Sequence, residues 1–241
     1  MSFTKYIPDD IQEKYEIHDY RHAAAILANE YPEEFEQICI ALREFRLTIE
    51  DIKKKGGNES DIPKKISSIL RPLGWEEGKL SAKTVVNDTE LNVETHKIDY
   101  VKERVAFDLE WNSKDQTFDR DLYAFRAFFD YNRISVGVLF TRSTTLDPLF
   151  KSLGKDADGK KYSDKYGAST THLGKLLYRL DSGRNGGCPV LVIGITPNCV
   201  DGIPDIETIA EVGEPVLAQD IATLIVPEEE ELSDTETEES N

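Results

Sequence analysis

The sequence contains no run of 18 apolar residues, which excludes a helix that spans a membrane. Its opening stretch, MSFTKYIPDDIQEK, has no apolar core of the kind a secretory leader carries. Cysteine is scarce. Cys39, Cys188 and Cys199 are too few and too scattered for a disulfide framework or a cysteine-built zinc site. Together these absences lead us to expect an intracellular, reducing setting and no membrane partner. Positive charge is also thin, with 29 basic side chains against 46 acidic ones and a formal net charge of -17. A balance of that sign argues, on its face, against nucleic acid as a partner. What remains is a chain of 241 residues, 39% hydrophobic, long enough to bury a substantial core and too patterned to be disordered throughout.

The charge is unevenly spread. Residues 1–50 sum to -6, 51–83 to +3, 84–141 to -4, 142–187 to +4 and 188–241 to -14. The last segment has no basic residue, and eight of its acids fall within 228–241, EEEELSDTETEESN. That composition, with no helical or strand period, reads as a disordered acidic tail. The expected organisation is a single domain over 1–227 followed by this tail. Two basic islands then flank an acidic centre.

Hydrophobic period places the elements. Residues 19–30 read as an Ala-rich helix capped by Asp19, and 32–46 as a second helix with Phe35, Ile38, Cys39, Leu42 and Phe45 on one stripe. A breaker-rich loop, 53–65, precedes a short helix at 64–70. From residue 84 the period becomes two. Strands are expected at 84–87, 96–101 and 104–112, then a helix over 118–131 with Phe118, Leu122, Phe125 and Phe129 inward. ISVGVLF (134–140) and PVLVIGI (189–195) read as buried strands, separated by a polar loop at 143–168 and a helix near 170–181. Residues 197–226 suggest mixed loop, helix and a short strand. The sum is an α/β fold with a mixed central sheet flanked by helices.

The strand at 104–112 carries the chemistry. A period of two puts Asp108 and Glu110 on one face, roughly 7 Å apart along the strand. If Lys102–Glu103 forms a two-residue turn, Asp99 lies opposite Ala106 and diagonal to Asp108, within side-chain reach. Three carboxylates converging on one point repel one another unless a cation sits among them. Oxygen donors without Cys or His favour Mg²⁺ or a similar ion over Zn²⁺. The other reading of the same spacing is a solvent-facing strand whose charges pair with Lys97 and Arg104.

The residues Ile98-Asp99, Lys102 and Asp108-Leu109-Glu110-Trp111-Asn112, within the longer stretch 95–142, resemble the catalytic segment of BglII-type restriction endonucleases, members of the PD-(D/E)xK nuclease superfamily. DYRHAAAIL (19–27), GASTTHLGKLLYRL (167–180) and GCPVLVIGI (187–195) are similar to further segments of that family, so the likeness covers about 18–196. It implies a restriction-endonuclease-like fold and a type II enzyme that cleaves double-stranded DNA with Mg²⁺, leaving 5′-phosphate ends. It implies further a homodimer, a companion methyltransferase for the same site, and the cytoplasm of a prokaryotic cell. By position, Asp99 matches the first metal-ligating aspartate, and Asp108 the second acidic ligand, usually a glutamate. The Leu109 main-chain carbonyl would complete the set. Glu110 stands where the superfamily usually has lysine; Lys114 is the nearest lysine and shares the parity of Asp108 and Glu110 only if the strand continues that far. Rival readings are a non-specific, repair or mobile-element nuclease on the same fold, or a non-catalytic DNA-binding module.

DNA binding needs cationic contacts to phosphate and polar readers of base edges. Lys53–Lys55, Lys64 and Lys65 lie in or beside the loop at 53–65, Arg142 ends a buried strand, and Lys175 sits on the helix near 170–181. Ser169, Thr170 and Thr171 match a family segment that contacts bases, although Ser169 or Thr170 could instead cap the helix. Asn112 could read a base or end the strand. His18 and His22, at i and i+4, read as surface or packing residues, and Asp119-Arg120-Asp121 as charges on the polar face of the helix at 118–131.

Overall fold

The two apolar runs and the alternating strand lie side by side at the centre of one sheet. The computed structural model of the chain describes residues 3–54 and 61–203. In chain order, helix α1 (Asp9–Lys14) leads into strand β1 (Tyr15–Tyr20), followed by helices α2 (Ala23–Glu30) and α3 (Pro32–Glu44). Strand β2 (Leu47–Thr48) and helices α4 (Ile49–Lys53) and α5 (Asp61–Leu70) come next. Strands β3 (Glu76–Gly78), β4 (Ser81–Val86), β5 (Thr89–Glu94), β6 (Ile98–Lys102) and β7 (Val105–Glu110) precede helix α6 (Thr117–Asp130). Strand β8 (Val136–Arg142), helices α7 (Asp147–Ser152) and α8 (Leu173–Asp181), and strands β9 (Val190–Ile195) and β10 (Val200–Asp201) complete the described chain. These elements belong to one compact unit spanning residues 1–202. The expected tail at 228–241, the domain boundary at 227 and most of the segment 197–226 lie outside the described residues.

The main sheet has six strands in the order β1-β9-β8-β7-β6-β3. The β7, β8 and β9 neighbours are parallel, while β1, β6 and β3 join antiparallel, so the sheet is mixed as expected. Parallel neighbours need crossovers, and α6 and α8 supply them between β7 and β8 and between β8 and β9. One face buries Ala106, Leu139, Val190 and Val192 against Phe118, Leu122 and Phe125 of α6 and Leu173, Leu176 and Leu180 of α8. The other face carries an aromatic group. Phe140 packs edge-on against Tyr15 and Phe45, with ring centroids 5.7 and 5.0 Å away, and Phe107 packs against Tyr100 at 5.7 Å. Tyr15 donates to the Leu42 carbonyl on α3 at 2.7 Å, and Tyr100 is 2.7 Å from Ser67 on α5. With both faces covered, all of β7, β8 and β9 is buried. The three cysteines are free and buried. Among the described residues, no helix is long and apolar enough to cross a membrane.

Several boundaries differ from the sequence reading, each for a local reason. The helix expected over 19–30 starts only at Ala23, because residues 15–20 pair with β9. Arg21 and His22, both left-handed (φ 56 and 63°), turn the chain between them. The N-cap is His22 and not Asp19, although Asp19, from the end of the strand, accepts the Ala24 amide of the first turn at 2.8 Å. The expected strand at 84–87 is half of a separate hairpin. Asn87 and Asp88, left-handed at φ 47 and 62°, form its two-residue turn. Helix α8 begins at Leu173 with His172 at its N-cap, so neither Ser169 nor Thr170 caps it.

Gly137 sets how closely α6 approaches the sheet. A β-carbon at Gly137 would stand 2.3 Å from a ring carbon of Phe125, which no side chain tolerates. Gly137→Ala therefore forces α6 outward. Overpacking of this kind costs about 1–3 kcal/mol, and we expect a lower urea midpoint with an unchanged slope. A midpoint equal to that of the parent protein would show that this contact does not hold the helix in place.

Candidate active site

The site forms where β6 and β7 part from each other beside α6. The turn between them differs from the expected one. Lys102 pairs with Val105, Val101 with Ala106 and Tyr100 with Phe107, so the turn residues are Glu103 and Arg104. Glu103 is left-handed at φ 48°. Arg104 is drawn out of the ladder by bonds to the Asn132 carbonyl at 2.7 Å and to Ser135 at 2.9 Å. The register is thus shifted by two residues from the one expected. A shift of two keeps every side chain on its face, whereas a shift of one would reverse them, so the three acids remain on one face of the sheet.

Continuing that register by one residue sets Asp99 across from Asp108, directly and not diagonally. There the ladder gives way to a clasp. The Asp99 amide donates to Asp108 Oδ1 at 2.7 Å, and the Leu109 main chain hydrogen-bonds the Asp99 carboxylate. Asp108 Oδ2 is buried and has no donor. Glu110 is held at both ends of its residue: its carbonyl accepts from Thr141 at 2.6 Å, and its Oε1 accepts from Arg120 at 3.1 Å. Asp108 and Glu110 are buried, while Asp99 stands at the rim, crowded by protein on one side and open to water on the other.

Burial pushes all three carboxyls toward their protonated forms. Asp99 is raised by desolvation, partly offset by the Leu109 hydrogen bond and by Arg120 and Arg71. Asp108 is raised well above the usual range by desolvation, then by the charges of Asp121, Asp99 and Glu110. Glu110 is raised by desolvation against help from Ser113 and Arg120. Such a group of acids stores electrostatic strain that a bound cation would relieve.

Three further residues complete this centre, and the sequence reading did not assign them to it. Asp121, expected on the polar face of α6, is 2% exposed and lies against Asp108 and Glu110. Arg120 bridges Asp121, at 2.9 Å, and Glu110. Arg71 donates to the Asp99 carbonyl at 3.0 Å, with its guanidinium 4.6 Å from the Tyr100 ring centre. A helical period of 3.6 offers a signal for Asp121, which stands three residues after Phe118 and so flanks the apolar stripe.

The residues proposed for DNA fall into two groups. Strand β7 ends at Glu110, so Lys114 leaves the carboxylate face and does not occupy the usual lysine position. Residues 113–115 instead pair with 169–171. Lys114 bridges Thr170, the Thr171 amide donates to the Ser113 carbonyl at 2.9 Å, and the Asp115 amide donates to that of Ser169 at 3.0 Å. Asn112 and Thr171 each hold a buried oxygen with no partner, Oδ1 and Oγ1. Lys114 and Ser169 are exposed. Lys175 on α8 pairs with Asp115 at 2.8 Å.

The second group joins the two basic islands. Tyr166 donates to the Ile52 carbonyl at 2.7 Å, Lys165 to the Lys54 carbonyl at 2.5 Å, and Lys53 lies 5.2 Å from the Tyr162 ring centre. Lys65 pairs with Asp51 at 2.5 Å, and exposed Lys64 lies 3.6 Å from Asp61. Lys55 is outside the described residues. Arg142, a candidate for DNA contact at the end of a buried strand, is 1% exposed. Its guanidinium, 5.6 Å from the ring centres of both Phe150 and Tyr166, donates to Asp147 at 3.0 Å and Thr170 at 3.1 Å. It ties the loop 143–171 to the end of β8. His18 bonds Glu16 at 2.9 Å and does not approach this centre as a ligand pair with His22.

A mixed sheet with helices on both faces, presenting grouped carboxylates from two adjacent strands beside two arginines, defines a nuclease of the restriction-endonuclease class. The family described as restriction endonuclease BglII/BglIII matches residues 15–195. The chain belongs to that family and is a type II site-specific deoxyribonuclease that binds and cleaves double-stranded DNA. A search of curated proteins returns no match to the chain.

The Asp121 carboxyl has a consequence for stability. Desolvation, then the charge of Glu110, raises it from 3.8 to about 8. The fold thus keeps a proton that the unfolded chain has released, so this group's contribution declines as pH rises through that interval. In EDTA, Asp121→Asn should gain stability over the parent protein, by an amount that grows from about pH 5 to about pH 8 and reaches a few kcal/mol. Urea unfolding of both proteins across that range measures the difference; a pH-independent difference would contradict the assignment.

Proposed function

We propose that the chain cuts DNA by divalent-metal-assisted hydrolysis, with Mg²⁺ as the ion and 5′-phosphate and 3′-hydroxyl ends as products. The observation that carries this reading is the buried, donorless Oδ2 of Asp108, set among carboxylates raised by desolvation. The donors fit a hard cation, being carboxylate oxygens with no Cys or His among them. Asp99, Asp108 and the Leu109 carbonyl would hold the ion, with Glu110 beside them. Among the described residues, no group of three or more Asp, Glu, His or Cys side chains already stands close enough to hold one. On this reading the ligands draw together when the ion binds. When bound, the ion polarises the scissile phosphate and lowers the pKa of a coordinated water.

The chain's own residues divide the remaining work. Glu110 orients the attacking water or accepts its proton, an exchange favoured by its raised carboxyl. Arg71, at the rim beside Asp99, is placed to meet a phosphate oxygen. Asn112, Lys114, Ser169, Thr170, Thr171 and Lys175 lie one strand extension beyond the carboxylates, where base edges and flanking phosphates would follow the scissile bond. Lys64 and Lys65, beside the joined basic islands, contribute phosphate contacts. Arg142 acts indirectly, by fixing the loop that presents Thr170.

Cutting both strands at a palindromic site requires two such centres related by a two-fold axis, so the working species is a homodimer. A site-specific cutter also endangers its host's DNA, which calls for a methyltransferase of the same specificity in the same prokaryotic cytoplasm.

The test is phage DNA incubated with the protein and Mg²⁺, then with EDTA. Discrete metal-dependent fragments are expected. Asp99→Ala should lower the cutting rate by on the order of 10³-fold or more, because several kcal/mol of charge stabilisation disappear, while a gel shift persists. Normal cutting by this variant would show that the ion is held elsewhere.

A further inference from the structure

We propose that Asp121 is a further ligand for the divalent ion and that Arg120 is a resident cation which the ion displaces. This rests on the metal-dependent reading above and extends it to a residue on α6. Three observations support it. First, Asp121 is 2% exposed, yet its Oδ2 faces no donor, and the same holds for Oδ2 of Asp108. Two donorless carboxylate oxygens in one buried group are a costly arrangement in an ion-free protein, and coordination satisfies both at once. Second, Asp121 is the carboxylate whose charge weighs most on Asp108 and on which Glu110 weighs most in turn. It thus interacts with both strand acids. Third, Arg120 places a single positive charge against two of the acids. Its Nε donates to Asp121 Oδ1 at 3.0 Å and its terminal nitrogen to Glu110 Oε1 at 3.1 Å.

The position of Arg120 suits an exchange. It is 40% exposed, on the residue next to Asp121, so its long side chain can swing to water without moving the helix. One guanidinium neutralises one charge, which leaves the group acidic. A divalent ion neutralises two and accepts oxygens from Asp108 and Asp121 that no N–H group reaches. Once released, Arg120 remains at the rim of the site beside Asp99, where it can pair with the phosphate. The helix holds Asp121 at a fixed distance through the contact of Phe125 with Gly137, four residues further along α6.

Mn²⁺ titrated into the full-length protein without DNA, followed by calorimetry, reads this directly and independently of cleavage. Wild type, Asp108→Asn, Asp121→Asn and Arg120→Gln are compared, each first shown to unfold cooperatively in EDTA. We expect Asp108→Asn and Asp121→Asn each to weaken Mn²⁺ binding by about 10-fold or more, as the loss of a ligand should. Arg120→Gln should tighten it several-fold, since the ion no longer competes with a resident charge. Loss of affinity in Asp108→Asn with wild-type affinity in Asp121→Asn would overturn the role of Asp121 and leave the metal-dependent reading standing. Unchanged or weaker binding by Arg120→Gln would overturn the exchange. A wild-type protein that binds no Mn²⁺ at millimolar concentration would overturn both the inference and the reading beneath it.

Discussion

The structure depends on the burial of ionisable oxygen at the end of β7. A strand that is covered on both faces has room for carboxylates only if each finds a partner, and here the partners come from three directions. The Asp99 main chain reaches Asp108, Thr141 on β8 holds the Glu110 carbonyl, and Arg120 on α6 holds the Glu110 and Asp121 side chains. None of these partners fully satisfies the group, since one oxygen of Asp108 and one of Asp121 have none. The sheet supplies the rigidity that keeps the acids together in spite of their repulsion. The parallel pairing of β7 with β8 and β9 fixes the strand, and the bare Gly137 lets Phe125 bring α6 close. A surface that simply carried charge would need none of this.

Around that centre the cations are arranged by use. Those nearest the acids, Arg120 and Arg71, bind protein oxygens and remain at the rim. Those farther off build the platform. Arg142 is buried between aromatic rings and fastens a loop, Lys175 and Arg179 join α8 to the residues before and within α6, and Lys165 joins the two basic islands. The net charge of -17 therefore says little about the surface that meets DNA. Several of the cations near the centre, Arg142 and Arg179 among them, are buried and committed to protein oxygens, so the count of basic residues does not describe the charge a surface presents.

The central sheet was largely legible from the chain, because burial on two faces writes long apolar runs and burial beside an acidic site writes a clean alternation. Strands β7, β8 and β9 and helices α3, α6 and α8 all carry such marks. That Asp99, Asp108 and Glu110 share a face was legible for the same reason, and it tolerated an error of two in the register. What stayed hidden depends on neighbours distant in sequence. The end of β1, Asp19 and Tyr20, reads as the start of a helix because its β-character comes from pairing with β9, 170 or more residues later. The fourth acid looked like surface because its neighbours Asp119 and Arg120 are polar, while its own side chain turns inward. Arg142 looked like a DNA contact because nothing local marks Phe150 and Tyr166 as its walls. In each case a side chain's role was set by what packs against it and not by its spacing.

The bridge between residues 113–115 and 169–171 has an effect on how this enzyme could diversify. The segment that extends β7 past Glu110 is the same segment that holds the polar loop, so base reading by that loop, as proposed above, and cutting would share one continuous piece of backbone. A change in the loop that improved the fit to a new base would tug on the strand that carries Asp108 and Glu110. Such a scaffold cannot easily acquire new specificity by swapping a recognition module. Its descendants would be expected to keep the old target or to change both activities together, which favours fidelity over adaptability.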